Sequence, residues 1–309
     1  MHGIRAAVAT TAFLFCAAAM AQDLRLMTGP QGGVWVPLGG QLKDIWEKAI
    51  PGLAVKPLPG AGIANVRGIE EAKTEVGFGN TISTADAVLG NPPFDKKHGK
   101  VCNLATLYPQ YFQVVVPTDA GIAAVRDIKG KGVTTQQRGN TGELITQHIL
   151  KVNGLAYSDV KVSFGSYTDS IEQVKDNRAQ MFTLGTGLPA GTVMDLAAAR
   201  DIRVLDLSAH FEDMRKLNPA YKLVTIPANT YAKQASEVKT IGYYTHVAIA
   251  CDVPADRAYT MVKAILANKD GLAAVYKDLS QLSPQIMAQD IGVPMHPGAA
   301  KFYAENGVK

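Results

Sequence analysis

The sequence predicts an α/β protein of two lobes, in which helices flank two mostly parallel sheets. Short β-prone runs alternate with runs of helical periodicity, which is the order in which βαβ units build a parallel sheet. This series occurs twice, although the two halves share no detectable sequence repeat. Two longer β-prone runs, 111–117 and 243–251, are separated by one complete α/β series. The chain is therefore expected to cross twice between the lobes.

These crossings give the domain boundaries. Residues 22–112 and 244–309 are assigned to lobe I, and residues 113–243 to lobe II, which is inserted in it. No Pro/Ser-rich linker joins the halves, so the hinge is expected to consist of strands.

Each lobe is predicted element by element. In lobe I, strands are expected at 24–28, 54–58 and 76–79, with a helix around 63–73. The first helix of lobe I follows from apolar residues at helical spacing, namely Leu38, Leu42, Ile45, Trp46 and Ala49. Lobe II is expected to contain strands at 132–135, 160–164, 180–184 and 202–207, and helices at 144–152, at 169–176 and after Pro189, which suits a first helical position. Helices at 254–268, 271–279 and 298–305 then complete lobe I.

The N-terminus is typical of an export signal. Arg5 precedes an apolar stretch at 6–18 that is too short to span a membrane, and Ala19-Met20-Ala21 supplies the small residues of a cleavage site. Phe15 stands where a lipoprotein signal needs a small residue before Cys16, which disfavours a lipid anchor. Residues 1–21 are therefore predicted to be a signal peptide, and the mature protein to be periplasmic.

Charge and cysteine content limit the partners. The formal net charge of +4 is spread along 309 residues, which is too weak and dispersed to indicate a nucleic-acid partner. No later segment approaches 18 consecutive apolar residues. Cys102 and Cys251 either form a disulfide in an oxidising compartment or stay as buried thiols.

The chemistry is expected in five Gly-rich loops that join strands to helices. In a parallel sheet such loops gather where ligands bind, and their glycines let backbone N–H groups approach an anion at a helix N-terminus. Facing loops from two lobes would form a cleft. The loops are 28–35, 59–62, 79–83, 137–143 and 185–189.

Several loop side chains have two interpretations. Arg138 could bind a ligand carboxylate in bidentate fashion, or it could be a solvated loop arginine. Trp35 could form a wall of the pocket or pack in the core. Tyr108 and Tyr111 could line the cleft or pack in the hinge.

Enzyme motifs are missing from the sequence. It contains no Gly-x-Ser-x-Gly, His-Glu-x-x-His or Walker motif. Gly60-x-Gly62-x-x-Asn65 departs from the dinucleotide fingerprint at its third glycine. The histidines at 98, 148, 210, 246 and 296 lack metal-ligand spacing, and His148 is expected in the core. We therefore expect no catalytic residues, metal or cofactor; an enzyme built on the same two lobes is the less favoured alternative.

A series of motifs carries a family resemblance. The chain resembles the solute receptors of the TAXI class of tripartite ATP-independent periplasmic (TRAP) transporters over nearly all of its mature length. The motifs that carry the resemblance are Thr28-Gly29…Gly32-Gly33…Pro37-Leu38-Gly39-Gly40, Asn65-Val66-Arg67, Val76-Gly77-Phe78, Leu107-Tyr108-Pro109, 127–133, Gly139-Asn140-Thr141-Gly142-Glu143, 226–231 and 294–299.

The resemblance implies a periplasmic binding protein of the type II-like architecture, expected to be a monomer. It implies closure on a small organic anion, glutamate-like or dicarboxylate-like, and delivery to a TRAP permease. Receptors for ATP-driven (ABC) or tripartite tricarboxylate importers would share the fold. From the loops and the resemblance together, the expected ligand-binding residues are Thr28, Gly33, Val34, Trp35, Asn80, Thr81, Tyr108, Arg138, Asn140, Thr141, Gly142, Thr186, Gly187 and Leu188.

The chain departs from the family pattern at two places. Val34-Trp35-Val36 stands where the family commonly has a small hydroxyl residue and aromatics, and Gln180 replaces an acidic residue. The first change removes a hydrogen-bond donor and adds bulk in a loop expected to specify the ligand.

Overall fold

The structure, a computed structural model, describes residues 22–308. The predicted signal peptide and Cys16 lie outside the described residues. The strands are β1 Gln22–Met27, β2 Leu53–Leu58, β3 Val76–Asn80, β4 Val101–Pro117, β5 Gly132–Gln136, β6 Lys161–Gly165, β7 Met181–Thr186, β8 Ile202–Val204, β9 Lys222–Ile226 and β10 Val238–Ala250. The α-helices are α1 Trp35–Ala49, α2 Gly62–Glu70, α3 Thr81–Leu89, α4 Thr141–Val152, α5 Tyr167–Lys175, α6 Gly191–Ala199, α7 Phe211–Leu217, α8 Ala255–Ala267, α9 Lys269–Ala273, α10 Pro284–Met287 and α11 Pro297–Glu305.

The fold is α/β, as predicted, with helices around a mixed sheet. In lobe I, β1 pairs in parallel with β2 and β3. In lobe II, β5 pairs in parallel with β6 and β7. The strand order is β2-β1-β3-β10-β4-β7-β5-β6, with β8 on β4 and β9 on β10. No helix of residues 22–308 is long and apolar enough to cross a membrane.

The two long strands join the lobes. β4 and β10 pair antiparallel from Ile241↔Phe112 to Ala250↔Val101, so both cross from one lobe to the other. This pairing continues through the hinge and merges the two expected sheets into one sheet. Its register shifts between Thr245 and His246 and again between Val247 and Ala248. Such irregularities bend strands, and these two lie where the lobes meet.

Buried apolar residues form separate cores in the lobes. The lobe I core includes Tyr108 of β4 and Val247 of β10, and it contains the fully buried Trp46, whose Nε1 donates to the Met261 oxygen at 3.2 Å. One lobe II core begins at Phe112 on β4 and includes Tyr243 on β10. The cores therefore divide between Tyr108 and Phe112 on β4 and between Tyr243 and Val247 on β10.

Several elements differ from the sequence prediction: β9, α7 and α10 lie where no element was predicted, and β10 begins at Val238, five residues before the predicted start. Helix α3 occupies a segment predicted to be a loop, because its polar start, Thr81-Ile82-Ser83-Thr84, has no helical apolar period. β4 begins at Val101, ten residues before the predicted start. Helix α6 begins at Gly191, so Pro189 is not its first residue. The helix expected at 271–279 is divided into α9 and a 3-10 turn at Lys277–Gln281.

A disulfide joins Cys102 to Cys251, 149 residues apart in sequence. It resolves the alternative left open by the sequence. The bond links the start of β4 to the residue after β10, at the lobe I end of the shared ladder.

We predict that Cys102→Ser lowers the free energy of unfolding by about 2–4 kcal/mol, because a crosslink that closes a long loop restricts the unfolded chain. Thermal denaturation of the mature protein with and without reductant measures this effect. Reductant should lower the midpoint of the wild type and leave the Cys102→Ser/Cys251→Ser double variant unchanged. A wild-type midpoint insensitive to reductant would contradict the prediction.

Candidate ligand-binding cleft

A narrow cleft lies between the lobes. Three of its lining residues stand at or next to strand carboxyl ends, Asn80 on β3, Gln136 on β5 and Thr186 on β7. Ligands of open α/β sheets bind at such ends. The lining residues are Pro30, Gly33, Val34, Trp35, Asn80, Gln110, Gln136, Asn140, Gly142, Tyr167, Gly185, Thr186 and Tyr243.

Asn80 supplies a buried amide from lobe I. It is the last residue of β3 and the N-cap position of α3, although its side chain makes no capping bond. The residue is 4% exposed, and its Oδ1 has no hydrogen-bond partner among the described residues. Buried polar atoms are rarely left without partners. This amide is therefore a candidate ligand contact.

Asn140 supplies a second buried amide from lobe II. Its Oδ1 accepts from the Gly142 N–H at 3.4 Å and caps α4. The residue is 3% exposed, and its Nδ2 has no partner among the described residues. Because the oxygen caps the helix, the orientation of the amide is fixed and the group left for a ligand is a donor.

Trp35 forms a lobe I wall of the cleft and belongs to the core as well. Its ring stacks on Phe78 with centroids 5.5 Å apart, and its Nε1 donates to Thr245 Oγ1 at 3.1 Å. Both interpretations of this residue therefore hold. When the Gln110 amide is turned to satisfy its neighbours, its nitrogen donates to the Gly185 oxygen at 3.0 Å and its oxygen accepts from Trp35 Nε1 at 3.2 Å.

Tyr167 anchors the lobe II wall. Its hydroxyl donates to the Gly185 oxygen at 2.8 Å and accepts from the Gln136 Nε2 group. Gln136 Oε1 in turn accepts from the Gly142 N–H at 3.1 Å. Burial raises the pKa of Tyr167, so its phenol stays protonated. These bonds hold a wall of neutral polar groups in place.

The lobes are in contact around the cleft. Ser83 Oγ lies 3.0 Å from Thr141 Oγ1, and a Cβ added at Gly62 would overlap the Thr141 hydroxyl. Two further contacts link the lobes, Leu188 N–H to the Tyr276 hydroxyl at 3.0 Å and Asn218 Nδ2 to Asp86 Oδ2 at 2.8 Å. The arrangement is thus a closed one.

The structure brings half of the predicted ligand-binding residues to the cleft surface. Those that line it are Gly33, Val34, Trp35, Asn80, Asn140, Gly142 and Thr186. Five of the other seven lie around it and are used within the protein. Thr28 Oγ1 donates to the Leu58 oxygen, Thr81 Oγ1 accepts from the Tyr244 N–H, Thr141 bonds Ser83, and Gly187 and Leu188 pack against Tyr276.

The last two predicted contacts, Tyr108 and Arg138, also lie outside the lining. Tyr108 is buried with its ring centroid 4.5 Å from that of Tyr276, and its hydroxyl has no hydrogen-bond partner among the described residues. Arg138 is exposed, and its guanidinium lies 4.3 Å from the Phe164 ring centroid in a cation–π contact. Arg138 lines a separate surface groove with Met27 and Pro59.

Six lining residues were not predicted from the sequence. Gln110 and Tyr243 belong to the hinge strands, Gln136 ends β5, and Tyr167 opens α5 after Gly165-Ser166. Of these four, only Tyr167 carried a usable signal, because Gly165-Ser166 before it is a strand-to-helix loop with an N-cap serine. The other two missed residues are Pro30 and Gly185, which lie in two of the predicted Gly-rich loops.

No charged side chain lines the cleft within residues 22–308. The same part of the chain contains no group of three His, Cys, Asp or Glu residues placed to hold a metal ion. What the lining offers a ligand is amides, phenols, a hydroxyl, an indole and backbone groups at helix starts.

We predict that Gly185→Ala destabilises the protein by about 1–3 kcal/mol, because the added methyl would overlap the Tyr243 hydroxyl and force the cleft wall to shift. Chemical denaturation measures the change. Gly191→Ala is the matched control: nothing lies within 4 Å of its added Cβ, so its effect should be neutral or stabilising by up to about 1 kcal/mol. Equal stability of the two variants would contradict the close packing of Gly185 against the Tyr243 hydroxyl.

Solved structures similar to this chain share its fold. The alkanesulfonate-binding protein SsuA from Xanthomonas axonopodis pv. citri, bound to MOPS, is 14% identical with a TM-score of 0.52, over 94% of this chain and 86% of that chain. PhnD1 from Prochlorococcus marinus, in complex with methylphosphonate, is 13% identical with a TM-score of 0.53, over 84% and 90%.

A third similar structure comes from work on glutathione import via GshT and the cystine ABC importer TcyBC of Streptococcus mutans. It is 17% identical with a TM-score of 0.54, over 84% of this chain and 96% of that chain. At these identities the likeness concerns the fold. The family is shown by sequence: the NMT1-like family matches residues 26–307, so this chain belongs to the NMT1-like family.

Proposed function

We propose that this protein is a periplasmic solute receptor that closes on a small organic anion and delivers it to a membrane importer. The observation that carries the proposal is a pair of buried amide atoms without hydrogen-bond partners, the acceptor Asn80 Oδ1 from lobe I and the donor Asn140 Nδ2 from lobe II. A buried polar group without a partner costs about 1–3 kcal/mol. A ligand that bonds both amides removes this cost only when the lobes are closed, so binding favours closure.

The groups around the cleft support an anionic ligand. Asn140 Nδ2 is a donor of fixed orientation, and the N-termini of α3 and α4 begin at the two asparagines. Helix N-termini favour negative charge. No carboxylate lines the cleft in residues 22–308. A carboxylate, sulfonate or phosphonate group fits these donors, and the TAXI resemblance favours the carboxylate.

Opening and closing would take place at the shared strands. β4 and β10 cross between the lobes with two shifts of register. The closed lobes are otherwise linked through polar contacts, such as Ser83 with Thr141 and Asn218 with Asp86, and through Ile82 of α3, which packs in a lobe II core. A hinge of this kind allows two rigid lobes to rotate relative to each other, with the backbone change confined to a few residues. The proposal makes the protein a binding component without catalytic residues.

The importer partner has two candidates. Structures similar to this chain include proteins described with alkanesulfonate binding and with a cystine ABC importer, which supports an ATP-driven importer. The TAXI resemblance of the sequence motifs supports a TRAP permease instead. The comparisons favour the ABC partner. Uptake of labelled ligand after ATP depletion, or after collapse of the ion gradient, separates the two, because only loss of the energy source that drives the importer abolishes transport.

We predict that a small organic anion raises the thermal midpoint of the mature protein. A ligand at 100 times its Kd adds about 2.7 kcal/mol to the free energy of unfolding when it binds the folded state alone. Differential scanning fluorimetry of a panel of carboxylates, sulfonates and phosphonates, followed by calorimetry, tests this. No shift and no heat across the panel would refute the proposed function.

We predict that Asn140→Asp weakens anion binding at least tenfold. Aspartate caps a helix as well as asparagine does, so α4 should persist. The cleft loses a donor whose hydrogen bond to an anion is worth about 1.5–3 kcal/mol, and it gains a negative charge that repels the anion. The measurement is calorimetric affinity, with circular dichroism to confirm folding. Arg138→Ala is the control, because its exposed guanidinium stacks on Phe164 outside the cleft, and its affinity should stay within about twofold. Wild-type affinity in Asn140→Asp would contradict the role of this amide.

A further inference from the structure

The charge around the cleft narrows the class of ligand. Among residues 22–308, the thirteen that line the cleft include no Arg, Lys, His, Asp or Glu. Any charge on a bound ligand must therefore be balanced by neutral donors and helix ends. A helix N-terminus acts as about half a positive elementary charge. The two helices that begin at the unpartnered amides, α3 and α4, thus balance about one negative charge.

The ionisable groups just behind the lining add negative charge. Glu143 follows Gly142 in the first turn of α4 and is 5% exposed. Its carboxylate accepts from Gln147 Nε2 at 2.6 Å and from the Tyr157 hydroxyl at 3.0 Å, both neutral donors. A carboxylate in this position offsets part of the positive end of α4.

The other charged or titratable neighbours do not supply a cation. Asp278 accepts from the Tyr276 hydroxyl at 3.0 Å, and that hydroxyl contacts Leu188 beside the cleft. His246, next to Gly79 and Asn80, bonds Thr84 and Asn103. Burial lowers the pKa of His246 to about 3, so it is neutral near pH 7. Arg138 is exposed and stacked on Phe164.

We propose that the cleft selects ligands with a single negative charge and rejects dianions of the same shape. This inference rests on the proposed function and replaces the expectation of a dicarboxylate. The first charge is solvated by Asn140 Nδ2 and the helix ends, whereas a second charge would be buried with no cation to pair it. A neutral donor of the ligand can instead bond Asn80 Oδ1, which has no partner among the described residues.

Matched ligand pairs test the inference on the wild-type protein. Succinamate against succinate and glutaramate against glutarate each compare a monoanion with a dianion of nearly the same shape. Calorimetry at pH 7 and low salt should show each singly charged member binding at least tenfold tighter than its partner. Equal or tighter binding of the more negative member would overturn the inference while leaving the proposed function intact.

A pH series gives an independent measurement. Methanesulfonate keeps one charge throughout, whereas methylphosphonate becomes a dianion above its second ionisation. The affinity for methylphosphonate should fall at least tenfold across that ionisation, and that for methanesulfonate should stay level. Phosphonate affinity that rises with pH would overturn the inference. If no anion of either experiment binds, the proposed function itself fails.

Glu143→Gln tests the contribution of the neighbouring carboxylate. Glutamine keeps the shape and can retain the contacts with Gln147 and Tyr157, but it removes the charge. The discrimination against the dianion should relax several-fold, whereas Glu172→Gln, at an exposed site on α5, should leave it unchanged. Full discrimination in Glu143→Gln would remove Glu143 from the explanation.

Discussion

The antiparallel pairing of β4 with β10 is the constraint on which the rest of the structure depends. These two strands contribute to the cores of both lobes, so each lobe folds onto a ladder that it shares with the other. The point where the cores divide is also where Gln110 and Tyr243 reach the cleft. Hinge, boundary and binding surface therefore coincide, and a change in the bend of one ladder moves both walls of the cleft.

Much of the fold could be predicted, because βα alternation is a local property of the sequence. β2, α1 and α4 are predicted by short apolar patterns, which are visible without knowledge of the rest of the chain. Long-range pairing was harder to predict. Pro109 lies inside β4 opposite Tyr244, within a ten-residue extension of the strand that the apolar run 111–117 did not reveal, and α3 forms from a segment with little apolar period whose first four residues are buried.

The candidate site was predictable to the extent that loops form it. The Gly-rich loops pointed to Asn80, Asn140 and Gly142, but they gave no access to Gln110 or Tyr243, whose positions depend on the register of the hinge strands. Arg138 stood out for its charge. Its contact with Phe164, a residue of the neighbouring strand β6, decides its orientation, and no loop pattern reveals such a contact. The TAXI resemblance stays a prediction within the broader NMT1-like family.

The dual use of Asn140 has a consequence for how the binding range of this protein could evolve. Its oxygen terminates a helix while its nitrogen lines the cleft. Aspartate can cap the helix but has no donor, serine and threonine can cap it but carry their O–H donor on a shorter side chain, and glutamine lacks the short reach of a cap. A substitution at this position therefore changes the cap of α4 as well as the ligand contact. New ligand preferences would therefore arise more readily at a wall position such as Thr186, which ends a strand and caps no helix.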